Sequence, residues 1–250
     1  KEQLGFIKKN VNKNVKPILI PKKNSCTIVK KRYVDEVSKT KILGVYSIED
    51  HLINKMEEKK FTKKILEEVK KNDLVVVSDY GHGLISDRLA KLITTKSKFL
   101  AINAQLNAAN IRHHTISRYK KPDLVIINEA EMRHEMRDRS EKSEVLLKQI
   151  SKKIKSKFTI VTSGRDGSAL FVKKENKIYK CPAFANKVID KIGAGDAMLS
   201  LLSLAIYKNF DYKLGMFISS LAAAINVQTE ANSLILKKNS IIKSAESYLK

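Results

Sequence analysis

Residues 188–207, VIDKIGAGDAMLSLLSLAIY, carry the densest chemistry in the chain. Gly193, Ala194 and Gly195 come just before a long apolar run that reads as a helix. Small residues there expose consecutive backbone N–H groups at a helix N-terminus. Unpaired amides and the helix dipole both favour negative charge, so the segment reads as an anion cradle. Asp196 enters the first turn of the same helix. A carboxylate facing an anion cradle repels the ligand unless it has a task. The natural task is to accept a proton from a hydroxyl as that hydroxyl attacks a phosphoryl group. Capping the helix is the other task for an Asp at this position, and the spacing alone leaves both open.

Other segments offer weaker patterns. Asn128 and Glu131 follow an apolar strand, and an amide with a carboxylate at a strand end suits a hard cation that keeps most of its water. Helix capping explains that pair equally well. Val161-Thr162-Ser163-Gly164 reads as a strand running into a glycine turn. SDYGHGLIS, residues 78–86, lies at the C-terminal end of the best buried strand, where ligands of open α/β sheets bind. Gly81 and Gly83 permit close backbone approach there, and Asp79 and His82 are polar handles. In IVKKRYVD, residues 28–35, Lys30 and Arg32 share one face of a strand by period two. An exposed strand face accounts for them; so does a site for a phosphate.

The segment Asp190–Asp196 resembles the D-T-x-G-A-G-D motif of the ribokinase-like (PfkB-type) carbohydrate kinases, which also lies late in the chain and opens a helix. The resemblance implies that Asp196 is the catalytic base and touches the acceptor. It implies that the amides of Gly193, Ala194 and Gly195 form the anion hole beside the nucleotide, and that Asp190 helps hold a monovalent cation such as K⁺. One departure is Lys191, where the family has Thr. An ammonium there either supplements the anion hole or marks a site drifting from its ancestral activity.

Asn128-Glu-Ala-Glu131 resembles the family's N-x-x-E element, which implies Asn128 at the nucleotide and Glu131 organising Mg²⁺ through water. Thr162 and Gly164 match its T-x-G turn beside the nucleotide. Residues 78–86 resemble the D-Y/F-x-x-G element of the heptose-phosphate kinase branch, which implies Asp79 on the substrate side. In that branch the strand matching residues 28–35 carries basic residues toward the sugar, so Lys30 and Arg32 would meet a phosphate already on the acceptor. Asn103 stands where many ribokinases have the Asp of D-P-K, again a substrate position. Residues 101–133 look like the kinase part of bifunctional proteins that join a sugar kinase to a nucleotidyltransferase.

The elements that must position these residues alternate. Helix is expected over residues 2–9, 55–71, 87–96, 129–137, 143–155, 194–207, 212–227 and 241–248. Strands are expected at 15–20, 26–34, 41–47, 73–78, 99–102, 123–127 and 158–162, with a hairpin of 168–172 and 177–181. Pro17 and Pro21 confine the first to an edge or end, and a turn around Asp35–Lys39 joins the next two. Such alternation predicts α/β architecture. With the resemblance it becomes a ribokinase-like three-layer α/β/α sandwich with a mostly parallel, doubly wound sheet and remnants of a small β lid. One kinase domain is expected over 1–250, with strands within 24–47 near the lid and sugar side and a nucleotide-binding core over 73–250.

The composition sets limits. No run of about eighteen apolar residues suggests a membrane span, and the chain reads as soluble and cytoplasmic. Two cysteines, Cys26 and Cys181, make neither a disulfide framework nor a metal spacing. The net charge of +23 raises nucleic acid as a partner. The excess is mostly Lys, spread along the chain and mixed with Glu on helices such as 55–71, so a solvated surface is preferred to a nucleic-acid platform. The chain does not begin with Met, and the family's opening strand and Gly-Gly-x-x-x-N segment are not found in it. An N-terminally incomplete kinase domain is therefore expected. The activity implied is transfer of the ATP γ-phosphoryl group to a sugar or sugar phosphate, with a fused or partner nucleotidyltransferase domain and a homodimer as further expectations. The rivals are a kinase-derived module that binds without turnover and a basic nucleic-acid-binding protein.

Overall fold

Proline placement decides the first part of the chain. The computed structural model of the protein describes residues 2–22, 25–38, 40–49, 51–106, 110–111, 114–230 and 235–249. They fall into two compact units: Lys1–Ile65 with His82–Leu84, and Leu66–Gly81 with Ile85–Lys250. In the first, α1 (Glu2–Asn10) is followed by an irregular stretch where a strand over 15–20 was expected. Pro17 and Pro21 lack the N–H that a ladder needs, and among the described residues no strand pairs with this stretch. β1 (Val29–Val34) and β2 (Lys41–Ser47) pair antiparallel from Val29↔Ser47 to Val34↔Lys41. β1 begins three residues after the expected Cys26. Lys39, in the turn expected between the two strands, lies outside the described residues. Asn54 and Glu57 cap the start of α2 (Lys55–Lys71) reciprocally, Asn54 Oδ1 accepting from Glu57 N at 2.9 Å and Glu57 Oε2 from Asn54 N at 3.4 Å.

The second unit is built on a six-stranded sheet in the order β3 (Leu74–Asp79), β4 (Phe99–Ala104), β5 (Leu124–Asn128), β6 (Phe158–Thr162), β7 (Ser168–Val172), β8 (Lys177–Cys181). β3 to β6 run parallel, and β7 and β8 form the antiparallel end expected of the hairpin. The order follows the chain, so no reversal of strand order falls among the described strands. β4 and β5 are buried on both faces, which is why FLAINA and LVIIN are almost unbroken apolar runs.

Alternation along the strands separates two layers of helices. Ala101, Leu124, Ile126, Ile160 and Leu170 pack against Met198, Leu199 and Leu202 of α6 (Ala194–Tyr207) and Met216 of α7 (Tyr212–Val227). The residues between them face the other way, toward α4 (Glu129–Met136) and α5 (Ser143–Ile154), where Lys148 lies over the Phe171 ring. Helices on both faces of a mostly parallel sheet make the expected three-layer sandwich. α3 (Asp87–Lys96) and α8 (Lys238–Leu249) complete the described helices of this unit. No helix among the described residues is long and apolar enough to cross a membrane.

Gly167 closes the turn between β6 and β7 at φ 82° and ψ −134°, a conformation open only to glycine. A Cβ placed there would lie 2.1 Å from the carbonyl oxygen of Cys181. Gly167→Ala is expected to destabilise the fold by at least about 1–3 kcal/mol, read as a lower midpoint in urea with an unchanged slope.

Candidate active site

Gly193 adopts φ 83° and starts α6 without any side-chain cap. The first backbone bond of the helix runs from Ala197 N to Gly193 O, so the amides of Ala194, Gly195 and Asp196 precede it. A Cβ built on Gly195 meets nothing within 4 Å. An uncapped helix start with open space beside it is what an anion needs. The segment before the helix is held from behind: Ile189 N and Asp190 N both donate to Val227 O, at 2.8 and 3.1 Å, at the end of α7. Asp190 Oδ1 accepts Ile192 N at 3.1 Å, which curls the segment into its turn. Lys191 is exposed.

Asp196 does not cap its helix through its side chain. Its Oδ1 accepts from Ser78 Oγ at 2.8 Å and its Oδ2 from Tyr80 OH at 3.0 Å. Neither hydroxyl was among the expected site residues. Period two carried one residue past the end of β3 held the clue, since Ser78 and Tyr80 share a side and Asp79 lies on the opposite one. The Tyr80 phenol is pushed above its ordinary value, first by burial and also by the charge of Asp196, against the contact with Ser78.

Asp79, expected at the substrate, points away from Asp196 into a buried network. It is 5% exposed, with Tyr119 OH donating to Oδ2 at 2.7 Å and Gly81 N to Oδ1 at 3.0 Å. Arg118 Nη1 lies 3.6 Å and His114 Nε2 3.9 Å from Oδ2. Burial, followed by the Asp79 charge, raises the Tyr119 phenol far above its ordinary value. The network supports the loop that carries Tyr80: Asn110 Nδ2 donates to Tyr80 O at 3.0 Å.

Asn128 and Glu131 form a full capping box at the start of α4. Asn128 Oδ1 accepts Glu131 N at 2.8 Å, and Glu131 Oε2 accepts Asn128 N at 3.1 Å. Glu131 Oε1 accepts Leu106 N at 3.1 Å. Burial pushes this carboxyl above its usual range, against those backbone donors. Both oxygens are engaged and the residue is 7% exposed, so the pair does not fit a directly bound Mg²⁺. Among the described residues no group of three or more His, Cys, Asp or Glu could hold a metal ion.

Thr162 lies beside Asn128 across the parallel ladder and opposite Ser168 across the antiparallel one, and Gly164 turns at φ 58° with open space at its Cα. Asn103 is the ladder partner of Ser78 and shares its face. Its Nδ2 donates to Ile126 O at 2.9 Å, while its buried Oδ1 has no hydrogen-bond partner among the described residues. Ser168 Oγ is buried and unpartnered in the same sense. In the other unit Lys30 and Arg32 stand on one face of β1 opposite Tyr46 and Gly44. Lys41 Nζ donates to Tyr46 OH at 2.9 Å, and that contact, with the charges of Lys41, Arg32 and Lys30, holds the Tyr46 phenol below its ordinary value. The face is electropositive.

An α/β sandwich with an anion cradle and a positioned carboxylate at one helix start is the layout of a phosphate-handling protein. The chain belongs to the pfkB family of carbohydrate kinases, whose pattern matches residues 38–238. It is 32% identical over 174 residues to the bifunctional protein HldE of Campylobacter curvus, an alignment covering 68% of this chain and 36% of that one. It is 26% identical over 220 residues to the bifunctional protein HldE of Helicobacter pylori, covering 86% of this chain and 46% of that one. The chain thus spans about a third to a half of the length of these curated relatives. The fold is similar to ribokinase from Giardia lamblia (TM-score 0.75, 18% identity, 98% of this chain and 78% of that one). It is also similar to phosphofructokinase-2 from Escherichia coli in complex with substrates and products (TM-score 0.68, 14% identity, 86% and 69%).

Proposed function

We propose that this chain is the kinase part of a protein that transfers the γ-phosphoryl group of ATP to a hydroxyl of a sugar phosphate, with a heptose phosphate as the acceptor. The observation that carries the reading is the Asp196 carboxylate, held by two hydroxyls beside the uncapped start of α6. Asp196 takes the proton of the acceptor hydroxyl as its oxygen bonds to the γ-phosphorus and the bond to the β-phosphate oxygen breaks. The amides of Ala194 and Gly195 stabilise the charge on the transferring group, and Gly193 supplies the backbone turn that aims them. Thr162, Gly164 and Asn128 serve the nucleotide and Asn103 the acceptor, and Lys30 and Arg32, on one face of β1, carry the charge that a phosphate on the acceptor calls for. Asp190 contributes to a monovalent-cation site. Mg²⁺, when bound, would neutralise charge between the phosphates, and Glu131, engaged by backbone amides, would act on it only through water.

Likeness to bifunctional relatives supports a nucleotidyltransferase domain as fused or separate partner, and a second copy of this chain and a cytoplasmic location belong to the same reading. The engaged Glu131 favours one rival, a module that binds nucleotide or sugar phosphate without turnover. Release of ADP by the full-length protein, measured with heptose 7-phosphate, fructose 6-phosphate and ribose in turn, separates them. The expected result is turnover with the heptose phosphate highest in kcat/KM, and ribose at least about tenfold below it, as loss of the charged phosphate contact would produce. Binding of an ATP analogue in calorimetry with no turnover on any acceptor would establish the rival instead.

A further inference from the structure

Asp196 is the expected base, but a carboxylate on a helix start has two side-chain torsions and no intrinsic reason to face one way. We propose that Tyr80 and Ser78 are positioning residues for Asp196, two hydroxyl donors that fix the plane of its carboxylate, one on each oxygen, so that the remaining lone pairs face the acceptor hydroxyl. The proposal rests on the reading of Asp196 as the base. The contacts reach across 118 and 116 residues of chain, so they are a product of the fold and not of local helix geometry.

Three further features of the structure support it. The first is that the donors sit on a rigid support. Ser78 lies within β3, paired to Asn103. Tyr80 is flanked by Asp79, which is anchored in the buried network, and by Gly81, whose φ of 67° and close approach to Asn110 and His114 leave no space for a Cβ. A site group held on packed elements keeps its geometry without help from the ligand. The second is that Tyr80 is a constant donor: burial and the neighbouring carboxylate both work against its ionisation. The third is alternation. The same three-residue run sends Ser78 and Tyr80 to Asp196 and Asp79 into the support beneath them, so SDY encodes both the contact and its foundation. In-line attack tolerates little misorientation, and misplacing a reacting group by about 1 Å costs on the order of 100-fold. Loss of one of two donors to a partly exposed carboxylate should cost less, about tenfold.

The test has a spectroscopic and a kinetic arm, both on the full-length protein. With tyrosine labelled at ¹³Cζ, the Tyr80 resonance is the one missing in Tyr80→Phe. It is expected to move in Asp196→Asn at neutral pH, while the signals of tyrosines remote from Asp196 stay in place. In the kinetic arm, Tyr80→Phe and Ser78→Ala should each lower kcat about tenfold with KM for ATP within about twofold of wild type. Ser78→Thr, which keeps the hydroxyl, should recover most of the loss. A Tyr80 resonance indifferent to Asp196→Asn, or a Tyr80→Phe enzyme with unchanged kcat, overturns the proposal. If the wild-type protein transfers no phosphoryl group, it is the kinase reading that fails, and the resonance alone then decides whether the hydroxyls hold the carboxylate.

Discussion

Asp196→Asn should lower kcat for phosphoryl transfer by about 10²–10⁴-fold while leaving ATP-analogue binding within a few-fold of wild type. The amide is nearly isosteric with the carboxylate, so the start of α6 keeps its shape and its exposed amides. It cannot take up a proton, and only its oxygen can accept, so one of the two hydroxyls of Ser78 and Tyr80 loses its acceptor. Removing a negative charge beside an anion cradle leaves phosphate binding no weaker, which separates this outcome from a folding defect. Single-turnover transfer with and without the substitution, together with calorimetry on an ATP analogue, measures both quantities. Transfer within about tenfold of wild type would remove Asp196 from the role of base.

Asp79→Ala should unfold the protein at markedly lower urea, with a loss on the order of 3 kcal/mol. Tyr119 is fully buried, and its hydroxyl would be left without an acceptor, as would Gly81 N. Arg118 would keep Ile85 O and the exposed Asp87, so its charge is not stranded and the loss stays below that of an orphaned ion. Asp79→Asn, which still accepts at one oxygen, should lose less, about 1 kcal/mol. Both variants should also lower kcat, because the loop bearing Tyr80 loses its foundation. If Asp79 instead held the acceptor directly, Asp79→Asn would raise the acceptor KM at unchanged stability. Denaturant unfolding and a KM measurement on the same preparations distinguish the two.

The architecture was largely legible because hydrophobic period is a local signal. The helices at 55–71, 87–96, 194–207 and 212–227 and the strands at 41–47, 158–162, 168–172 and 177–181 have the bounds that pattern and turn residues predict. The stretch 15–20 misled because β-branched residues outvote prolines in a window count, whereas a ladder needs every donor. The site was legible only in part. Gly193–Asp196 is contiguous, so its chemistry can be read along the chain. Ser78 and Tyr80 could not be tied to Asp196 that way, since nothing local says which strand ends beside which helix. Asp79 drew attention in their place because a carboxylate is the more conspicuous residue, yet strand alternation turns it inward. Asn128 and Glu131 carry a pattern that helix capping and a water-mediated cation site can both write, and in the structure the pair forms the capping box.

The two amides that share the carbonyl of Val227 give the stretch between them and α6 a fixed span. The segment 189–193 is a tether whose far end is a helix terminus and whose near end is another helix's last turn, and α6 and α7 are packed side by side with Gly215 seated against Ala205. Its length is therefore as constrained as its composition. One residue inserted between Ile189 and Gly193 must bulge out or drag the open amides at the start of α6 out of line. An insertion in the exposed turn at Lys173–Glu175 would only lengthen a hairpin. Diversification of such a protein by insertion is free at the sheet's antiparallel end and closed at this tether.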